Sequence, residues 1–223
     1  MTWHMQNEDH AVNYKRIRRL MPLMRLMPIY QKPDTSRPAK GHKTYPYLLG
    51  GLRVERPNQV WCADITYLPK RKGSLYLVAI MDLSTRKVLA WRIPNTLEAD
   101  FCVEAPNEAI HRFGPPEIMN TDQGRQFTSF AWTDRLKRVG TRISMDGKGR
   151  CLDDIFIERL WRSLKYECVY LHARETGSQA KASIGARITF YNHQRPHAAH
   201  AGQPPAVVYF KAIETDQQVQ AVA

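Results

Sequence analysis

Between Gln59 and Pro94 three β-rich, apolar runs follow one another with only short turns between them, and no other part of the chain constrains its fold as tightly. The first, "QVWCADITYLP" (Gln59–Pro69), is rich in residues that favour strands. The second, "SLYLVAIMDLS" (Ser74–Ser84), is apolar at nearly every position, the pattern of a central strand buried on both faces. The third is "KVLAWRIP" (Lys87–Pro94). The turns around Lys72-Gly73 and Ser84-Thr85-Arg86 make hairpins, so the three strands are antiparallel neighbours.

After the meander the pattern alternates. In "NTLEADFCVEAPNEAIHRFG", Asn95 or Thr96 caps a helix whose apolar face includes Leu97, Phe101, Val103 and Ile110. Pro106 inside it predicts a kink or break. "PPEIMNTD" reads as a short strand, "QFTSFAWTDRLKRVG" as a helix ending at Gly140, and "TRISMD" as another strand. "GKGRCLDDIFIERLWRSLKYE" (Gly147–Glu167) opens a long helix, residues 178–194 form a further helix, and "RPHAAHAGQPPAVVYF" reads as an extended tail. A meander followed by strands alternating with helices predicts an α/β fold with a mixed five-stranded sheet flanked by helices.

Charge separates the N-terminal quarter from the rest. The formal net charge is +12, of which residues 1–57 carry +7. A balance this basic points to a polyanionic partner, most often nucleic acid. In "VNYKRIRRLMPLMRLM" (Val12–Met27), Ile17, Leu20, Met21 and Met24 recur with a helical period, and Lys15, Arg16, Arg18 and Arg19 supply charge. Pro22 predicts that this helix ends near Leu20. Gln31–Gly51 is rich in Pro, Gly and Lys and reads as a linker. Cys62, Cys102, Cys151 and Cys168 are scattered without zinc-ligand spacing, as expected of reduced thiols in a cytosolic protein. No apolar run is long enough to span a bilayer.

Three acids stand out. Asp64 interrupts an otherwise apolar strand, where a carboxylate is costly unless paired or bound to a metal. Asp122 ends the short strand before "QGRQF", a usual place for a working residue in an α/β fold. If the first and fourth strands are neighbours, the two converge. A helix packed on that sheet then delivers Glu158, which follows Asp122 with 35 residues between them. Such carboxylate oxygens suit a hard divalent cation, above all magnesium. Asp82 also ends a strand, but Ser84-Thr85-Arg86 follows it and predicts a turn role. There is no Ser-His-Asp array and no P-loop. His193, His197 and His200 are interrupted by Pro196 and lack a companion Cys, so they do not read as a zinc site. Trp61, Trp91, Trp132 and Trp161 sit in apolar periodic surroundings and read as core.

The segments "RPNQVWCADITYLP", "YLVAIMDLSTRKVLAW", "NTDQGRQFTS", "ISMDGKGRCLDDIFIERLWRSLKYE" and "FYNHQRPH" occur in order and cover most of residues 56–210. Together they resemble the second-frame product of the third insertion-sequence family of transposases, which carries a retroviral-integrase-like catalytic core. The resemblance implies a ribonuclease-H-like fold with Asp64, Asp122 and Glu158 as catalytic acids binding magnesium, for which manganese can substitute. It implies metal-dependent DNA cleavage and strand transfer at insertion-sequence ends and into target DNA. It also implies a homo-multimer assembled on DNA, together with an upstream-frame product, at the nucleoid of the bacterial cytoplasm.

The division expected on this basis is a truncated helix-turn-helix-like basic segment (1–30), a linker (31–55), the catalytic core (56–175), and a C-terminal helix with an extended tail (176–223). Arg162 and Lys165 lie one and two turns beyond Glu158, where related enzymes contact the element's end DNA. Lys148 and Arg150 are expected to track phosphates on a loop, and Lys15, Arg16, Arg18 and Arg19 to bind DNA from the basic helix. The chain departs from the family pattern at Asp154, where an Asn is usual, and at Pro22 and Pro106. These departures support an alternative reading, a catalytically impaired DNA-binding remnant.

Overall fold

The computed structural model describes residues 2–24, 43–69, 74–93, 99–146, 155–170 and 177–222. Strands β1 (Val60–Pro69), β2 (Ser74–Asp82) and β3 (Val88–Arg92) form the antiparallel meander. Strand β4 (Ile118–Thr121) pairs in parallel with the other edge of β1, and β5 (Arg142–Met145) in parallel with β4. The order across the sheet is β3-β2-β1-β4-β5. Strand side chains alternate between faces. Val60 and Cys62 of β1 and Leu75, Leu77, Ala79 and Met81 of β2 enter one core, while Trp61, Ala63, Val78 and Ile80 enter the other. β2 is buried on both sides, as its unbroken apolar run requires.

Helices cover both faces. The Trp61 face packs on α3 (Ala99–Phe113) and α4 (Phe130–Arg138). The Ser129 side chain caps α4 by accepting the Trp132 N–H at 3.3 Å, and Gly140, with φ of +76°, lies just past the helix end. The Cys62 face packs on α5 (Ile155–Leu164) and α6 (Gly177–His193). In α5, Ile157, Leu160, Trp161 and Leu164 are buried at helical spacing, and each contributes about 1.5–3 kcal/mol of apolar burial. Glu158, Arg159 and Arg162 occupy the exposed side.

The structure departs from the sequence expectations in four places. The α-helix after Ile155 ends at Leu164 and closes in a π-helical turn, Lys165–Val169, which turns Cys168 and Val169 into the core. Helix α3 runs unbroken through Pro106. The face it buries carries the small residues Cys102, Ala105, Pro106 and Ala109, while Val103 and Ile110 are only half-buried. Close packing on the sheet offsets the backbone bond that Pro106 cannot make. In the N-terminal unit, which also holds α1 (Thr2–Asn7), helix α2 (Tyr14–Leu23) continues past Leu20. The ring of Pro22 fixes a helical φ and removes one bond, and the Met24 N–H still reaches Leu20 O at 3.1 Å. The supposed extended tail is largely helix α7 (Pro205–Val222), preceded by a 3-10 turn at Ala198–His200. Pro205 at the first helical position is pre-organised for a helix start, and Ala206 and Tyr209 are buried.

The chain forms two compact units, Met1–Arg37 and Pro38–Ala223. Residues 176–223 do not stand apart from the core. Ala180, Ile184, Ile188 and Tyr191 of α6 belong to one core cluster, and Tyr209 of α7 to the other.

Lys87, at the start of the third strand run, ties α7 down. Its ammonium has no hydrogen-bond partner among the described residues and lies 4.0 Å from the ring centroids of Phe113, Tyr209 and Phe210. Burial first, and then the Arg112 charge, hold its pKa at about 8 against the pull of Asp82. The folded pKa lies below that of an ordinary lysine, so the unfolded chain binds more protons between the two values and stability rises with pH there. In urea melts the wild type is expected to gain stability from about pH 8 to about pH 10. Lys87→Met removes that gain, and equal slopes in the two proteins would refute the assignment.

Candidate active site

The register of the parallel strands brings the acids together. Val60 pairs with Ile118, Cys62 with Asn120 and Ala63 with Thr121, so one step further Asp64 comes level with Asp122. β5 continues the row. Asn120 pairs with Ser144 and Thr121 with Met145, which sets Asp146 beside Asp122. By alternation all three acids fall on the Cys62 face, the face covered by α5, whose first turn carries Glu158.

Each aspartate is held. Asp64 Oδ2 accepts the indole N–H of Trp161 at 2.7 Å, and Oδ1 accepts the Ile65 N–H at 2.7 Å. Asp122 Oδ1 accepts the Gly124 N–H at 2.8 Å. A Cβ at position 124 would stand 2.8 Å from that same oxygen and would displace the carboxylate from this position. Asp146 is buried and accepts from the Asn120 amide at 3.2 and 3.3 Å. Glu158 is exposed.

The electrostatics tie three of these groups into one field. Burial raises the Asp64 pKa to about 6. The Trp161 and Ile65 bonds oppose this, and the charges of Asp122 and Glu158 add to it. Asp122 is solvent-exposed at the strand end, yet the protein crowded around its carboxylate raises it as well, with Asp146 adding to this and the Gly124 bond opposing it. A half-buried carboxylate facing two others is costly without a cation. An all-oxygen donor set of this kind fits a hard divalent ion. Among the described residues no group of three or more His, Cys, Asp or Glu is closed to ligand distance.

The remaining site residues named from the sequence divide by position. Arg162 is exposed one turn beyond Glu158, and Lys165, half-buried, opens the π turn. Lys15, Arg16, Arg18 and Arg19 are exposed on α2, in the N-terminal unit. Lys148, Arg150 and Asp154 lie outside the described residues. Asp82 takes its turn role, accepting from the Thr85 N–H and hydroxyl and from the Asn58 N–H at 2.7–2.8 Å. His200 Nε2 bonds the Thr85 carbonyl at 2.9 Å, and His197 packs edge-on against Tyr191. Trp61 and Trp132 are fully buried, Trp161 is nearly so, and Trp91 is half-buried against the core.

Sequence reasoning missed Asp146, Gly124 and the second role of Trp161. A signal existed for two of them. Asp146 directly follows its strand as Asp122 does, and Trp161 stands three residues after Glu158, within one helical turn of it.

Residues 54–151 and 139–205 each match a family model described as an integrase core domain. Over 207 residues the chain is 31% identical to the transposase for insertion sequence element IS904 of Lactococcus lactis subsp. lactis, covering 87% of this chain and 79% of that protein. Over 152 residues it is 35% identical to transposase InsF for insertion sequence IS3A of Escherichia coli K12, covering 67% of this chain and 53% of that protein. The chain thus spans about half the length of the Escherichia coli relative. Among solved structures, a chain of the simian T-cell lymphotropic virus intasome matches with a TM-score of 0.62 at 14% identity, over 90% of this chain and 68% of that one. The HTLV-2 integrase catalytic core domain in complex with magnesium matches with a TM-score of 0.53 at 20% identity, over 70% of this chain and 99% of that one. These likenesses show the ribonuclease-H-like integrase fold. With the sheet order, the row of acids and the sequence matches in agreement, the chain belongs to the IS3 family of insertion-sequence transposases, built on an integrase core domain.

Proposed function

We propose that this chain catalyses metal-dependent DNA strand cleavage and strand transfer, with Asp64, Asp122 and Glu158 as its catalytic acids. The observation that carries the reading is the position of Asp64, a desolvated carboxylate that feels the charges of both Asp122 and Glu158. The three would hold divalent magnesium, or manganese in its place. When bound, such ions activate the attacking oxygen of a phosphodiester exchange and stabilise the leaving one. No covalent nucleophile is required of the protein.

The chain's own residues orient the acids and the DNA. The Trp161 N–H fixes the direction of Asp64, and the Gly124 N–H that of Asp122. Arg162 and Lys165 hold phosphates beside Glu158, with Lys148 and Arg150 on the preceding segment. Such contacts position DNA without reading its sequence. Lys15, Arg16, Arg18 and Arg19 form the basic face of α2 and bind DNA in the same way. The working assembly is a homo-multimer on the element's ends, joined by an upstream-frame product.

The test is strand transfer on an oligonucleotide carrying the element's own terminal repeat. Joined product is expected with magnesium or manganese and none with a chelator. Loss of the Asp64 contact in Trp161→Phe, which keeps an aromatic ring in the core, should cost about 10–100-fold in activity or metal affinity. A magnesium titration of strand transfer reads both. A variant with unchanged activity and metal dependence would remove Trp161 from the mechanism.

A further inference from the structure

A second concentration of charge lies on the adjoining side of α5. A small cavity is lined by Arg86 from the β2–β3 turn, Arg159 and Ser163 from α5, and Tyr191, Arg195 and His197 from the end of α6 and the loop after it. Its charge is unbalanced. Glu167 serves Arg187 and Arg195 together, and Arg195 also donates to Ser163 Oγ at 2.6 Å. Among the described residues no carboxylate pairs with Arg86 or Arg159. The Arg86 guanidinium lies over the Phe156 ring, 4.1 Å from its centroid. Burial lowers its pKa, and the Arg159 charge lowers it further against the influence of Tyr191. His197 Nε2 is buried and has no hydrogen-bond partner among the described residues. Burial first, then His200, Arg86 and Arg195, hold that imidazole down at about 4, so it is neutral at pH 7.

The β2–β3 turn sets the backbone of Arg86, whose N–H bonds the Asp82 carbonyl at 2.8 Å. Its φ is +63°, a conformation in which glycine is at ease and an arginine is strained. The side chain is nonetheless folded in over α5, toward other cations. Cations gathered in a partly desolvated cavity with too few acids call for an anion. The planar guanidinium fork matches the oxygens of a phosphate.

We propose that this cavity is a phosphate seat, in which Arg86 and Arg159 grip a backbone phosphodiester of the DNA strand lying along α5. The assignment rests on the proposed function and deepens it. Arg159 directly follows Glu158, about 100° around the helix, and Ser163 lies one turn further on. Arg162 and Lys165 follow Glu158 one and two turns further along the same face. A strand whose reacting phosphate meets the acids therefore crosses the cavity mouth with a neighbouring phosphate.

The test measures binding of the full chain to a labelled duplex oligonucleotide by fluorescence anisotropy, at salt from about 50 to about 200 mM. Arg86→Gly suits the φ of +63° and so leaves the turn intact, and Arg159→Gln keeps a helix former on the exposed face. In each variant the slope of log affinity against log salt should become shallower by about 0.9, the value of one phosphate contact. Melting in potassium phosphate, compared with potassium chloride of equal ionic strength, should show a phosphate-specific rise in Tm for wild type that Arg86→Gly loses. Unchanged slopes in both variants overturn the proposal, even if free phosphate stabilises the protein. If wild type performs no strand transfer but Arg86→Gly still lowers the salt slope, the seat stands and the proposed function falls.

Discussion

Asp64→Asn is expected to abolish strand transfer while leaving the protein folded. The substitution preserves shape, and the single amide oxygen can still accept the Trp161 N–H, although the NH2 then faces the Ile65 N–H, a loss that the removed charge offsets. What it removes is the negative charge at the centre of the acid row. Losing a carboxylate that holds a catalytic ion forfeits several kcal/mol of transition-state stabilisation, which corresponds to a fall of about 10³-fold or more. Stability should move the other way. Burial and two neighbouring acids disfavour the Asp64 charge in the folded state, so a neutral side chain relieves that penalty. The pair of results, activity lost and Tm equal or higher, separates a catalytic carboxylate from a structural one. Glu158→Gln should lose activity to a similar degree. Its exposed position predicts little change in Tm. Residual activity within about tenfold of wild type in either variant contradicts the assignment.

Asn192→Ala is expected to produce the largest loss of stability. Asn192 lies in the "FYNHQRPH" segment, near the end of α6. Its Oδ1 accepts the Val88 N–H at 2.9 Å, and its Nδ2 donates to the Val88 carbonyl at 2.9 Å. β3 is an edge strand, so this amide does for Val88 what a further strand would do. Both partners are buried. Alanine leaves a donor and an acceptor unmet, at about 1–3 kcal/mol each, so urea denaturation should register a loss of about 2–5 kcal/mol. Asn192→Asp should not rescue it, because the acid keeps an acceptor but turns another oxygen toward the Val88 carbonyl. A loss below about 1 kcal/mol in Asn192→Ala would show that water satisfies these groups instead.

How much of this was legible beforehand varies by element. The meander was read to within two residues at each strand end, because two closely spaced hairpins admit little else. The tail was misread because "AGQPP" looks like loop, although the second proline is also the best start a helix can have. Pro106 was expected to break α3, since mid-helix proline costs about 3 kcal/mol. The sheet beneath that helix offsets the loss. The π turn after Leu164 left no local mark, because it answers to where Cys168 and Val169 must go. Asn192 looked like part of a motif, and its partner is 104 residues away.

The apolar alternation of β1 assigns Asp64 to the face of Val60 and Cys62 before any neighbour is known, because side chains on a strand must alternate. The helical spacing of Ile157, Leu160, Trp161 and Leu164 likewise turns Glu158 outward. Those assignments follow from local geometry and are written in the order of residues. Other facts belong to the folded chain alone. These are the parallel register that levels Asp64 with Asp122 and Asp146, the indole that reaches Asp64 from 97 residues away, and the unbalanced cations around Arg86. Strand pairing, desolvation and charge proximity depend on distances between residues remote in sequence. A pattern of residue types sets which way a side chain faces, and the packing of distant elements sets what it meets there.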